Sequence, residues 1–486
     1  MRIRIRNLLE RLSGLGVTFF RDLAVLVGGQ VISKLLGFAA FAWLARALDP
    51  VGYGSVEYVV GLLVFFSMII DGGLDVVGTR RAARDPDQLP TLARQIPAVR
   101  LLLVVVWVPV MVLVAITTMR GAVPVALICL FAVSLLTVPW RQQWIFQTSR
   151  RMTTIANAEI IRMAIFAVTV WALVRFPADI IFVGWAELVA VTAMTAYYLF
   201  AQQKKVTPVG LTGHIDGFYG LLREGAAVSA ANFVWALAQF APLFLVANLL
   251  GGADTAWFAG AARITSSIGQ FSNIYHFNLY PAVSSAHARG GEVLGALLTR
   301  SLRVTAWGGV LVAVTLCLFA LPLIRLTLGP KLLEAAPILQ VMVWLIPIML
   351  WSGHCRWALA AAGAQRLVLV SQVIGLGGTV AACVGIGHFH GSLGYAYGLI
   401  VGALAVWAVS HRFARSQGCE PPSPYIIVRP LGLAIAMIFL AHYYAAGFWQ
   451  SVIAVVMFVM LAPLVDRALL SDFALLGATK HRGQAD

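Results

Sequence analysis

The sequence predicts an all-α integral membrane protein: about fourteen transmembrane helices, forming two parallel six-helix bundles around a central cavity plus two C-terminal helices. Three observations support that class. Of the 486 residues, 60% are hydrophobic and 11% charged, against about a quarter charged in soluble domains. Apolar runs of roughly 20 residues, the length that crosses a hydrocarbon core about 30 Å thick, recur through most of the chain. The basic residues also sort to one side of the layout those runs define.

The first 21 residues carry Arg2, Arg4, Arg6, Arg11 and Arg21 among leucines. They imitate a signal peptide, but no cleavage pattern follows. The next apolar run, 22–46, is longer than a signal core and holds Lys34, so residues 1–21 read as an uncleaved cytoplasmic amphipathic segment. The N-terminal six-helix half, 22–201, continues with spans near 53–77, 97–118, 121–147, 153–174 and 179–201. A cytoplasmic connection, 202–222, contains Lys204, Lys205 and Gly-Pro punctuation. The C-terminal half, 223–412, has spans near 224–250, 254–281, 300–327, 336–362, 367–387 and 392–411. A cytoplasmic loop at 413–426 holds Pro421, Pro422 and Pro424; helices 13 and 14 fill 427–466, and 467–486 is a cytoplasmic tail.

With the N-terminus inside, twenty-six of the 35 Lys and Arg residues fall on the inner side, four lie within spans, and the outer side keeps five: Arg46, Arg120, Arg175, Arg325 and Lys331. Both termini are therefore expected in the cytoplasm. Six spans and a cytoplasmic connection return the chain to its starting side, so the two halves run parallel. A faint repeat agrees: Leu44–Val60 aligns with Val246–Ala262.

The net charge of +15 and the pI near 10.1 fit cytoplasmic loops facing anionic lipid, and nucleic acid is not an expected partner. The five cysteines are scattered with no CxxC pair, which points to small buried hydrophobes rather than disulfides or a metal site.

The stretch Leu44-Ala-Arg-Ala-Leu-Asp-Pro-Val-Gly-Tyr-Gly54, then Asp71-Gly-Gly-Leu74 and Arg80-Arg-Ala-Ala-Arg84, resembles the opening of the Wzx-like polysaccharide-biosynthesis flippases of the multidrug/oligosaccharidyl-lipid/polysaccharide exporter superfamily. Leu249-Leu-Gly-Gly, Ala256-Trp-Phe and Ala261-Ala-Arg-Ile264 resemble a later family segment. Asp49 stands where the family commonly has glycine. Pro242 stands where many relatives carry an acid, which puts ion coupling through that helix in doubt. The resemblance implies alternating-access transport of an undecaprenyl-pyrophosphate-linked oligosaccharide across the bacterial inner membrane, for O-antigen, capsule or exopolysaccharide synthesis. Implied partners are that lipid-linked substrate, membrane lipids, and the pathway's polysaccharide polymerase and glycosyltransferases. No cofactor is expected beyond a coupling proton or sodium ion.

A charge at mid-bilayer costs about 2.5–3.5 kcal/mol on the insertion scale, so bases within spans must face a cavity or a partner. Arg162 has Glu159 three residues earlier. Lys34, Arg263 and Arg356 have no acid at the three- or four-residue spacing. Together they would suit a pyrophosphate, whose oxygens arginine binds in bidentate fashion, unless acids on other helices such as Glu57 or Glu187 pair with them. Asp71 and Asp75 share a helix face near the cytoplasmic end of the second span, where they would gate with arginines such as Arg80, or simply cap and solvate the interface. Glu57 and Glu187 are the remaining ion-coupling candidates.

His276 and His354 sit within spans and either sense protons or pack as neutral, hydrogen-bonded rings. Tryptophans and tyrosines such as Trp140, Trp144, Tyr275 and Tyr280 serve as interfacial anchors or as stacking surfaces for sugars. The Gly375-Leu-Gly-Gly378 run lies in apolar helix without the strand or lysine of a phosphate-binding loop, and suits close helix packing. No catalytic constellation or metal set emerges. Other readings are a peptidoglycan-precursor flippase, a drug or cation antiporter, which should present acids to its cavity, and a membrane glycosyltransferase or ligase, which should need a sizeable outer loop.

Overall fold

The computed structural model describes residues 28–119, 123–211, 217–443 and 447–472. The expected amphipathic segment at 1–21 and most of the tail at 467–486 lie outside the described residues. Among those described there is helix and no strand, and thirteen helices are long and apolar enough to cross a membrane. The shortfall from fourteen traces to α10 (Gly252–Arg289). It covers the expected span 254–281, but Asp254, Arg263, Asn273, His276 and Asn278 lower its hydropathy below that of its neighbours.

The chain divides into two compact units, Met1–Ala236 and Leu237–Asp486, with the division inside α9 (Phe218–Leu249). The first unit contains α1 (Gly28–Ala47), α2 (Pro50–Asp71), α3 (Leu74–Arg84), α4 (Leu89–Met119), α5 (Val125–Ser134), α6 (Gln143–Thr148), α7 (Met152–Leu173) and α8 (Ile181–Lys205). Asp49 has a local role: its side chain accepts the Gly52 N–H at 3.2 Å and caps α2, with Pro50 in the first turn. α1 lies close on α7, because a Cβ on Gly29 would sit 2.6 Å from the Ala156 Cβ. Leu74, Val77, Ile96, Val99, Trp144 and Ile145 form a buried cluster joining α3, α4 and α6.

The second unit holds α10, α11 (Gly291–Leu318), α12 (Ala320–Thr327), α13 (Ala335–Met342), α14 (Leu345–Ala361), α15 (Gln365–Ser416), α16 (Tyr425–Tyr443) and α17 (Phe448–Val465). α15 is two spans joined at Gly391, whose φ of 57° breaks the helix. One glycine on each arm serves the packing between them: a Cβ on Gly375 would lie 2.1 Å from a Val406 methyl, and one on Gly402 would lie 1.7 Å from the Thr379 hydroxyl. α10 and α14 run in the same direction, since Gly269 faces Met349, His276 faces Gly353 and Tyr280 meets Trp357. α16 and α17 pack on α11 through Trp307, Val310, Met437 and Phe458.

Candidate functional site

Two helix breaks in the first unit lie beside one polar cavity. The first separates α2 from α3. Gly72 and Gly73 adopt left-handed φ values of 60° and 71°, a conformation glycine enters without a Cβ penalty. The Gly73 N–H donates to the Asp71 carboxylate at 3.2 Å, so the break also fixes that side chain. A Cβ on Gly225 would fall 2.4 Å from the Gly72 carbonyl oxygen, so the start of α9 touches the break through bare backbone.

The second break interrupts the span of α5 and α6. A 3-10 turn, Leu135–Trp140, contains Pro139 and ends at Arg141 and Gln142, both off helical geometry. Proline removes a helix donor and clashes with the preceding turn. Gln142 is fully buried there, donating to the Ala93 carbonyl at 3.0 Å and to the Gln202 side-chain oxygen at 3.2 Å. Interrupted membrane helices of this kind recur at transporter binding sites.

Between the breaks is a cavity of about 230 Å³, lined among others by Asp71, Asp75, Arg100, Arg141, Glu159 and Tyr198. That is far above the roughly 15 Å³ one water needs. Arg100, 1% exposed, reaches from α4 and donates from one nitrogen to both Asp71 and Asp75, the latter at 2.7 Å. Arg162 on α7 donates to Glu187 on α8 at 2.9 and 3.2 Å, with Glu159 at 3.9 Å. Arg141 lines the cavity with no ion pair to a described carboxylate within 4 Å; Arg162, Glu159, Glu187 and Arg100 are the charges that act on it. The cavity thus presents fixed carboxylates, a shared buried guanidinium and one cation able to meet an incoming anion.

A second cavity, about 420 Å³, is lined by Arg80, Arg81, Arg84, Asp85, Gln88 and Glu224. Arg81 donates to both Glu224 oxygens, at 3.1 and 2.5 Å. This hydrogen bond, reinforced by the charges of Arg80, Arg81 and Arg84, holds the Glu224 carboxyl below its ordinary range.

The structure brings some of the anticipated residues together and not others. Asp71 and Asp75 meet Arg100 rather than Arg80, which faces the second cavity on the far side of α3. Glu187 belongs to Arg162. Glu57 is buried in α2 and accepts the Tyr53 hydroxyl at 2.6 Å. Lys34 is exposed on α1 and makes no ion pair among the described residues. In the second unit, Arg356 sits one turn beyond Gly353 on α14, level with the region just after His276. Arg263 lies thirteen positions before His276 on α10, about 20 Å along the axis. Arg263 and Arg356 therefore do not share one subsite.

Arg100 and Arg141 had not been singled out. Arg100 falls at the edge of an apolar run and counts as a loop base; Arg141 follows Pro139 within one, and that proline interruption was the available signal. A third network was also not anticipated. Asp466, just beyond α17, meets Arg303 at 3.5 Å and Arg429 at 3.4 Å and accepts the Trp307 indole N–H at 3.3 Å. Asp472 pairs with the same Arg303.

Comparison with known proteins supplies the family context. A family profile described as polysaccharide biosynthesis protein matches residues 19–287. No curated protein sequence matches the chain. A solved lipid II flippase MurJ in an inward closed conformation is 12% identical, with a TM-score of 0.75 over 92% of this chain and 99% of that one. An inward-facing multidrug resistance MATE family transporter is 14% identical, with a TM-score of 0.66 over 79% and 94%. A superfamily transporter from Pyrococcus furiosus, reported with a binding pocket of reverse polarity, is 15% identical, with a TM-score of 0.54 over 82% and 94%.

Proposed function

Because the chain belongs to the polysaccharide biosynthesis protein family of the multidrug/oligosaccharidyl-lipid/polysaccharide exporter superfamily, and is thus a multi-pass membrane transporter, we propose that it flips an isoprenoid-pyrophosphate-linked oligosaccharide. Export runs from the cytoplasmic to the outer leaflet of the bacterial inner membrane, for surface polysaccharide assembly. One observation supports an anionic cargo above all: three bases on the membrane helices, unlike Arg100 and Arg162, make no ion pair with a described carboxylate. Lys34 and Arg141 make no ion pair among the described residues, and the Arg356 Nε is buried without a hydrogen-bond partner. An unpaired base in a low-dielectric wall is costly until an anion arrives, and a diphosphate offers that anion together with bidentate acceptors for arginine.

Each unit contributes a base, Lys34 and Arg141 from the first and Arg356 from the second. Asp71, Asp75 and Arg100 form a compact ionic knot at a helix break, suited to a gate that opens by exchanging partners.

The test is export in cells lacking the chain, complemented by wild type, by Lys34→Gln with Arg141→Gln, or by Arg356→Gln. Loss of the chain should deplete surface glycan and accumulate lipid-linked oligosaccharide on the inner leaflet. The variants should cut export at least about tenfold at normal membrane levels, a loss of 1.4 kcal/mol or more in the transport step. Normal surface glycan in the null strain overturns the proposal. A peptidoglycan precursor carries the same pyrophosphate, so the glycan itself must be read.

A further inference from the structure

The second unit contains a buried chain of hydrogen bonds that the proposed transport step does not use. His276 on α10 and His354 on α14 are 1% and 0% exposed. Their rings meet edge to face, with His276 Nε2 and His354 Nδ1 3.3 Å apart. His276 Nδ1 lies 2.7 Å from the Ser272 carbonyl oxygen, and His354 Nδ1 lies 2.8 Å from that of Leu350. A carbonyl only accepts, so each ring carries its hydrogen on Nδ1. His354 Nε2 is then an acceptor, facing the Ser301 hydroxyl at 2.8 Å, and Ser301 meets the half-buried Tyr275 hydroxyl at 2.6 Å. Two neutral rings satisfy every partner in this chain.

One further proton has two landing places. On His354 Nε2, it turns Ser301 from donor to acceptor, and the serine hydrogen rotates toward the Tyr275 oxygen. On His276 Nε2, it places an N–H directly against the N–H of His354. With either ring charged, a second proton would set two cationic rings against each other, so the pair holds one proton and not two. The surroundings do not neutralise that charge. Of the groups facing the pair, α10 supplies Tyr275, α14 supplies Cys355 and Arg356, and α15 supplies His411, 3.9 Å from Cys355. On α11, Arg300 and Arg303 flank Ser301 but are turned to Asp472 and Asp466. α13 brings no ionisable side chain, and Lys331, after Leu328, belongs to the far end of α10 where Leu328 packs on Gly260. The charge that acts on His276 is Arg356, another cation.

The packing at this point is also tight. The His276 ring rests on Gly353, where an added Cβ would fall 2.3 Å from its Cε1. We infer that the His276–His354 pair is a one-proton binding site that controls the packing of α10 on α14: the neutral pair holds the two helices together, and the protonated pair favours an arrangement in which they separate and water reaches the rings. The inference does not rest on the identity of the cargo.

The test uses the full chain purified in nanodiscs, with no substrate added. Hydrogen–deuterium exchange of 265–280 and 345–361 is followed from pH 8 to pH 4 and corrected for the intrinsic rate. In wild type the opening constant of both segments should rise together, by up to about tenfold per pH unit, the slope of a one-proton linkage. His276→Gln and His354→Gln should each flatten that response. Potentiometric titration over the same range should show the double variant taking up one proton fewer than wild type. A pH-independent opening in wild type, a response that survives in both variants, or a deficit of two protons in the double variant overturns the inference. Since the wild-type exchange needs no mutation, a variant that fails to fold does not remove the test.

Discussion

Arg100 shows how much of the first unit depends on a single side chain. It is 1% exposed and serves two carboxylates that belong to different helices. Arg100→Met should leave Asp71 and Asp75 facing each other without a cation, at a cost of about 3–5 kcal/mol for a broken buried pair. The expected readout is a large drop in melting temperature, partly recovered when Asp71→Asn and Asp75→Asn are added to Arg100→Met. No recovery would mean that the arginine acts through packing. The exposed pair Arg81–Glu224 should behave differently, contributing under about 1 kcal/mol. Hydrogen bonding to Arg81 depresses the Glu224 pKa. Its stabilisation is therefore complete above the ordinary carboxylate range and lost as pH falls through the depressed value. The melting-temperature gap between wild type and Glu224→Gln should be present at pH 7 and close on acidification toward pH 3; a gap that widens would reverse the sign. At this scale the sequence showed which charges needed partners but not the partners themselves. Three- and four-residue spacing exposes Glu159 to Arg162, whereas Glu187, 25 residues away, is the nearer carboxylate.

Helix existence was legible because apolar length and basic loops are local properties, and helix interruptions were half legible for the same reason. Pro139 and the Gly72-Gly73 pair were on view in the sequence, but that the two breaks share a cavity depends on how α2, α4, α5 and α8 pack. α10 shows the limit of hydropathy: its span is expected at 254–281, while Tyr275 and His276 meet hydrogen-bond partners on α11 and α14 that only the fold supplies. Close packing can be tested with glycines of opposite environment. Gly402→Ala would drive a methyl into the Thr379 hydroxyl and should separate the two arms of α15. Overpacking of this kind costs about 1–3 kcal/mol. Gly308→Ala in α11 meets nothing within 4 Å, and should leave stability unchanged or raise it by up to about 1 kcal/mol through helix propensity. Paired thermal melts in one detergent check both, and equal effects would show that the contact at Gly402 is not tight.

For the whole molecule, the expected orientation rests on the charge of the loops. The expected layout puts twenty-six basic residues inside against five outside, and short loops near span ends are where such a bias sets topology. The same-direction run of α10 and α14 agrees with the expected parity, because two spans with one span between them are two reversals apart and must point the same way. The loop between α12 and α13, with Arg325 and Lys331, should then be outside, and the loop before α16, with Pro421 and Pro422, inside. Alkaline phosphatase fused after Lys331 should be active and inactive after Glu420, with a cytoplasm-dependent fluorescent protein giving the opposite pattern. If both fusions report the same side, an odd number of the three spans between them, one from α13 and α14 and two from the arms of α15, fails to cross, and the expected sidedness of this stretch is wrong.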